Sequence, residues 1–294
     1  MPELPEVETV RRGLARLIVG RPVLDVKVYN PKSFQASSGD TQAFLVGARV
    51  VAARRRAKVL IIDLDSGYSL VAHLKMTGQL VFRGGEAWAA GHPTDSFVAE
   101  LPDRSTRVEF RFDDDSRLFF NDQRKFGWIK LLPTIEVENI DFLKKVGPEP
   151  LSGDPKLVQV FLKNIRRRNN TVVKAAILDQ TVVAGIGNIY ADESLWAART
   201  HPATRVRDLS DIKLRQILRA AIEVMTRSIE SGGSTMKNYI RADGTKGDYL
   251  EKFAKVFRRE GRACPRCGSE IVKIRVAGRG THICPRCQKL PAGI

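Results

Sequence analysis

Between residues 23 and 133 the apolar residues come in short runs of strand length, whereas beyond residue 150 they recur at helical spacing. A chain patterned this way cannot be a single repeating architecture, because a period of two fits a pleated sheet and a period of about 3.6 fits a helix. The strand candidates begin with Leu24, Val26 and Val28 in alternation, followed by Val50 to Ala53, Val59 to Leu64 and Tyr68 to Leu74. Gln79 to Phe82, Arg107 to Phe112, Leu118 to Phe120 and Trp128 to Leu132 complete the set. Strands so short and so closely spaced predict a sandwich or barrel. Ahead of them Val7, Val10, Leu14, Leu17 and Ile18 predict a helix that Gly20 and Pro22 end. Residues 134–150, which close in Gly147-Pro148-Glu149-Pro150, read as a linker. Helices are expected over about Pro155 to Ile165, Val172 to Asp179, Asn188 to Ala197 and Leu209 to Ile229, with Gly232-Gly233 as a stop. The expected fold class is therefore α+β in two domains: a β-sandwich with an N-terminal helix over 1–133, and beyond the 134–150 linker a helical domain over 151–257 and a cysteine-bearing finger over 258–294.

All four cysteines lie in that finger, as Cys264-Pro-Arg-Cys267 and Cys284-Pro-Arg-Cys287 with 16 residues between the pairs. Two such short loops bring four thiolates to one point, the closed tetrahedral shell of one structural zinc. Two disulfides or four free thiols are the competing readings, and the lack of a secretory signal at the N-terminus disfavours the disulfides. No apolar run approaches the length of a membrane span, so a cytoplasmic protein without membrane contact is expected. The 49 Lys+Arg exceed the 33 Asp+Glu by 16, which favours a polyanionic partner through counterion release from phosphates. Charge alone also fits a ribosomal or membrane-surface protein.

The chain opens Met1-Pro2-Glu3-Leu4-Pro5-Glu6. Proline and acidic residues suit a helix start. Removal of Met1 would also leave Pro2 as a free secondary amine beside a carboxylate, able to attack an electrophilic carbon and form an iminium. Farther along, Val183-Ala184-Gly185-Ile186-Gly187-Asn188-Ile189-Tyr190 places two glycines ahead of a helix, where backbone N–H groups can meet phosphate. It lacks the strand and third glycine of a dinucleotide fingerprint.

Taken with Pro2 to Thr9, His73-Leu74-Lys75-Met76-Thr77-Gly78 and Arg124-Lys125-Phe126-Gly127, these features resemble the bacterial formamidopyrimidine-DNA glycosylases from end to end. The resemblance implies a β-sandwich joined to a helix-two-turn-helix and zinc-binding domain, with damaged double-stranded DNA held between them. It implies a monomer with no small-molecule cofactor. It also implies that Pro2 attacks the sugar C1′ of a damaged nucleotide, that Glu3 is the acid/base group and that Lys58 is the catalytic lysine, with Glu6 and Glu193 in support. Met76, Arg124 and Phe126 match the set that fills the space left by an everted base. Lys174, Asn188 and Arg279, with His73, match DNA contacts, and Arg279 lies between the two cysteine pairs. Ser234, Thr235 and Tyr239 match a loop over the everted base. Two departures stand out: Gln123 replaces a usual proline, and Arg107 occupies the place of a phosphate-binding histidine.

The function expected is removal of oxidised purines followed by β,δ-elimination at the abasic site. An endonuclease VIII-like relative acting on oxidised pyrimidines typically has glycine where Leu4 stands and lacks the full Met76, Arg124 and Phe126 set. A catalytically silent lesion binder would not need Pro2, Glu3 and Lys58 together.

Overall fold

The computed structural model describes residues 2–92, 94–233 and 253–290. The chain divides into two compact units, the first built from residues up to Lys144 and the second from Lys145–Glu230 with the described residues from 253 onward. In the first, α1 (Leu4–Leu17) precedes β1 (Val23–Val28), β2 (Phe34–Gln35), α2 (Ser38–Phe44), β3 (Val50–Arg56), β4 (Val59–Leu64) and β5 (Tyr68–His73). Then come β6 (Gly78–Arg83), β7 (Ala87–Gly91), β8 (Thr106–Phe112), β9 (Arg117–Asp122), β10 (Trp128–Pro133) and α3 (Asp141–Lys145).

Two five-stranded sheets form, in the orders β1-β8-β9-β6-β7 and β2-β10-β5-β4-β3. Their inner faces share one core, in which Leu60, Ile62, Leu70 and Ala72 of one sheet meet Leu80, Phe82, Phe110 and Phe120 of the other. Val7, Val10, Leu14 and Leu17 bring α1 into the same core. The helix sits close: a Cβ at Gly13 would stand 2.2 Å from the Trp88 ring, so only glycine fits there.

Strand β4 is apolar on both sides because both of its sides are covered. Leu60 and Ile62 face the sandwich core, while Val59 and Ile61 join Val71, Val137 and Leu143 in a second cluster on the outer side. Residues 134–145, expected to be linker, therefore include a 3₁₀ helix (Thr134–Asn139) and α3 that cover this sheet. The reason is apolar area: burial of a Val or Leu side chain contributes about 1.5–3 kcal/mol, and Val137 and Leu143 are both buried. In β1 the alternation read from Leu24, Val26 and Val28 is broken by a register shift between Val23 and Asp25. The extra residue puts Val23 and Val26 against the core and leaves Leu24 and Val28 exposed.

The second unit holds α4 (Leu157–Arg166), α5 (Val173–Leu178), α6 (Asn188–Ala197), α7 (Asp211–Glu230) and the hairpin β11 (Val272–Val276) and β12 (Arg279–Ile283). Helix α6 is its axis: Tyr190 through Trp196 are all buried, with α5, α7 and β12 packed around it. Such a helix can carry buried carboxylates only if other groups satisfy them. Among the described residues no helix is long and apolar enough to cross a membrane.

Candidate active site and metal centre

At the start of α1, Glu3 is the N-cap residue in extended backbone, and the Glu6 carboxylate accepts a hydrogen bond from the Glu3 N–H at 2.8 Å. This bond satisfies one of the donors a helix start leaves open, and the helix dipole favours both carboxylates there. Pro2 is buried, and Glu3 and Glu6 are 4% and 8% exposed. The bond to Glu6 fixes the peptide that leads directly back to Pro2.

Lys58 is placed by a tight turn. Strands β3 and β4 pair with Arg56 opposite Val59, leaving Ala57 and Lys58 as the two turn residues. Ala57 has a φ of +52°, a left-handed conformation that costs a residue with a Cβ. It is held there: the Arg55 guanidinium donates to the Ala57 carbonyl at 2.8 Å and to Glu8 on α1 at 3.3 Å. Burial works to raise the Glu8 carboxyl, but hydrogen bonds and charge from Arg11, with help from Arg12 and Arg55, hold it below its ordinary range. Glu8 and Arg55 thus tie the helix that begins at Glu3 to the turn that carries Lys58. Sequence reading did not find this pair, because a contact 47 residues apart leaves no local signal. Arg54, by contrast, pairs with Asp63 on the neighbouring strand at 2.7 Å.

His73 ends β5 opposite Val59 and is 6% exposed. Its Nδ1 accepts from the Lys75 N–H at 2.9 Å, which leaves Nε2 as the N–H of the neutral ring. Burial first, then the charges of Lys75 and Lys58, push the imidazole down to about 3. A base whose folded pKa lies below its unfolded value of 6.5 favours the folded state fully above 6.5, and that contribution is lost as pH falls toward about 3. His73→Gln should therefore flatten the decline of stability between pH 7 and 4 in urea denaturation by a few kcal/mol on the order of magnitude. An unchanged slope would show that His73 is not held neutral.

Met76 and Phe126 are large apolar side chains standing 40% and 55% exposed at the tips of two loops, 74–77 and 123–127. The Arg124 guanidinium lies 4.9 Å from the centroid of the Phe126 ring. Arg107 is not at the surface beside them: it is 7% exposed and donates to the Asp122 and Arg104 carbonyls at 2.8 and 3.1 Å. Its guanidinium braces the root of the 123–127 loop.

In the second unit Lys174, expected at phosphate, is fully buried. Its ammonium donates to Asp192 at 2.6 Å, Thr281 at 2.7 Å and the Gly280 carbonyl at 3.3 Å. A charge taken out of water needs such partners, and these make Lys174 a pin between α6 and the finger hairpin. Asn188 also donates to the Gly280 carbonyl, at 3.0 Å. Glu193, 2% exposed, accepts from the N–H groups of Lys255, Val256 and Phe257 at 2.8 to 2.9 Å. Burial raises its carboxyl against the opposing pull of those donors. Arg279 remains exposed at the first position of β12, just past a turn whose Ala277 and Gly278 both have positive φ. Ser234, Thr235 and Tyr239 lie outside the described residues.

The four cysteine sulfurs all lie within 4.8 Å of one another, with Cys264 to Cys287 at 3.9 Å and Cys267 to Cys284 at 3.4 Å. A tetrahedral zinc with bonds of about 2.3 Å requires sulfurs roughly 3.8 Å apart, so the set fits one structural zinc with no open position. Between the first two ligands Arg266 stacks 4.0 Å from the Trp196 ring centroid and donates to the Trp196 carbonyl at 3.0 Å, stapling the metal loop to α6.

Family models match in three stretches: the formamidopyrimidine-DNA glycosylase N-terminal domain over residues 1–129, the H2TH domain of the same enzymes over 146–239, and a zinc finger found in FPG and IleRS over 261–290. They define the class: a DNA glycosylase with a sandwich unit, an H2TH unit and a zinc finger. The chain is 38% identical over 291 residues to the formamidopyrimidine-DNA glycosylase of Pelotomaculum thermopropionicum, covering 99% of this chain and 100% of that one. It is 39% identical to that of Streptococcus thermophilus, covering 98% and 100%. Similar solved structures include a Lactococcus lactis Fpg complex with abasic-site DNA and a MutM complex with carbocyclic 8-oxo-G DNA. Each has a TM-score of 0.84, 33% identity and coverage of 98% of this chain and all of the other. The chain belongs to the formamidopyrimidine-DNA glycosylase family.

Proposed function

We propose that this chain excises oxidised purines from duplex DNA and cuts the strand at the resulting abasic site, acting as a cytoplasmic monomer. The observation that carries the reading is the exposure of Met76 and Phe126 on adjoining loops of the same unit that buries Pro2 and Glu3. Exposed apolar wedges are what an enzyme needs to fill the stack after a base has left it, and a sugar cannot reach an amine until the base leaves. The similar structures with lesion-containing DNA support the same assignment.

In the proposed reaction the Pro2 nitrogen bonds to C1′ as the bond from C1′ to the base breaks, and the base departs with a proton. Glu3 protonates the ring oxygen as the sugar opens, and the nitrogen becomes a cationic iminium. The iminium acidifies C2′; loss of that proton expels the 3′ phosphate, and loss of the C4′ proton then expels the 5′ phosphate. Lys58 stabilises phosphate charge and supports these proton transfers. Glu6 holds the Glu3 peptide, neutral His73 offers its Nε2–H, Arg124 meets the base opposite the gap, and Arg279 grips phosphate. Asn188 acts through the finger it holds, and Glu193 through residues 255–257 just ahead of the finger. Residues 1–133 form the catalytic domain in this reading, 151–257 the helical DNA-binding domain and 258–294 the finger. Duplexes with 8-oxoguanine should be cut faster than duplexes with thymine glycol; the reverse order would overturn the purine assignment.

A further inference from the structure

Asp122, at the end of β9, is fully buried and touches both exposed loops. Its Oδ1 accepts from the Thr77 hydroxyl and from the Arg124 N–H at 3.2 Å, and its Oδ2 accepts from the Gly127 N–H at 2.6 Å. The Arg124 N–H reaches Thr77 Oγ1 as well, at 3.1 Å. Thr77 follows Met76, while Arg124 and Gly127 bracket Phe126. One carboxylate thus joins two loops, through Thr77, which lies 45 positions before it, and through Arg124 and Gly127. Neither loop is comfortable alone, since Lys75 and Lys125 have φ values of +50° and +59°, which residues other than glycine keep only when their surroundings enforce it. Gly127 is also fixed by space: a Cβ there would stand 2.7 Å from the Phe120 ring.

We propose that Asp122, acting through Thr77, is the positioning residue that locks the Met76 loop and the Arg124 to Phe126 loop into one rigid wedge. The proposal rests on the wedge role assigned above. Its consequence is selective: opening a duplex depends on Asp122, whereas sugar chemistry on DNA that needs no opening does not. Rigidity matters because a loop that yields as it enters the stack spends binding energy on its own ordering. A carboxylate is required because donors converge on both of its oxygens, whereas an asparagine would turn an NH₂ toward one of them.

The test compares two substrates, an 8-oxoguanine duplex and a single strand carrying a preformed abasic site. Asp122→Asn and Thr77→Val should slow duplex excision about 10- to 100-fold, the scale of losing hydrogen bonds to a charged group. Cleavage of the abasic single strand should fall by less than about threefold on the same reasoning. Thr77→Ser, which keeps the hydroxyl, should recover most of the duplex rate. Equal losses on both substrates, an undiminished duplex rate, or a Thr77→Ser as impaired as Thr77→Val would each overturn the proposal. If thermal melting shows Asp122→Asn unfolded, the two Thr77 variants decide. If the parent chain cuts neither substrate, the proposed function fails separately, and 2-aminopurine fluorescence beside the lesion reports wedge entry without turnover. A parent signal lost in Thr77→Val would then support the lock, and no parent signal would overturn it.

Discussion

A chain that keeps Met1, or that carries a tag ahead of Pro2, is expected to lose borohydride trapping on lesion DNA by on the order of 10³-fold or more, as enzymes do when their nucleophile is removed. The cause is electronic. A free terminal amine has a reference pKa near 8 and so is partly unprotonated at neutral pH, but acylation turns the nitrogen into an amide with no nucleophilic lone pair. Pro2→Gly is the informative companion, since it retains a primary amine and should trap weakly but measurably. Lys58→Ala separates the roles further: it should reduce turnover while leaving the terminal amine available. Normal trapping by the tagged chain would remove Pro2 from the mechanism, along with the reading of Glu3 that depends on it.

The sequence was most legible where one pattern had one cause. The four cysteines sit at metal-ligand spacing because only that geometry closes the shell, and the structure brings their sulfurs within 4.8 Å of one another. Helix α6 was read at its observed bounds, Asn188–Ala197. Elsewhere two causes produced one pattern. Helix α2 escaped notice because none of its residues is buried and so no apolar period marks it. What marks it is a cap, the Ser37 hydroxyl accepting from the Asp40 N–H at 2.9 Å. Strand β7, Ala87–Gly91, carries no alternation because four of its five residues are buried. The site shows the same limit. Lys174 and Arg107 were picked out as basic residues at places where the family meets DNA, yet both are buried on carbonyl or carboxylate partners. A matched motif position carries over a residue type without saying what surrounds its side chain. Asp122, Glu8 and Arg55 were missed for the converse reason: each has one decisive partner far away in the chain.

Replacing Cys267 with serine should weaken binding to lesion duplex about 10- to 100-fold, the scale of losing an ordered phosphate-gripping element, while changing the single-turnover rate at saturating protein far less. Structural zinc contributes roughly 10–16 kcal/mol in small metal-folded peptides, which is more than a hairpin of two five-residue strands can replace. The finger's attachment, however, does not rest on zinc alone. Lys174 pins Thr281 and Gly280 to Asp192, Arg266 grips Trp196, and Glu193 holds the N–H groups of residues 255–257. The expected result is therefore local: the metal loops open and Arg279 loses its aim, while the first unit keeps its own core and its catalytic groups. Three measurements separate this from global unfolding. The main thermal transition should persist, zinc content should fall, and the dependence of affinity on salt should become shallower by about one phosphate contact. Arg279→Ala should reproduce the shallower salt dependence with zinc still bound. If Cys267→Ser bound lesion DNA as tightly as the parent, Arg279 would not be the group the finger exists to present.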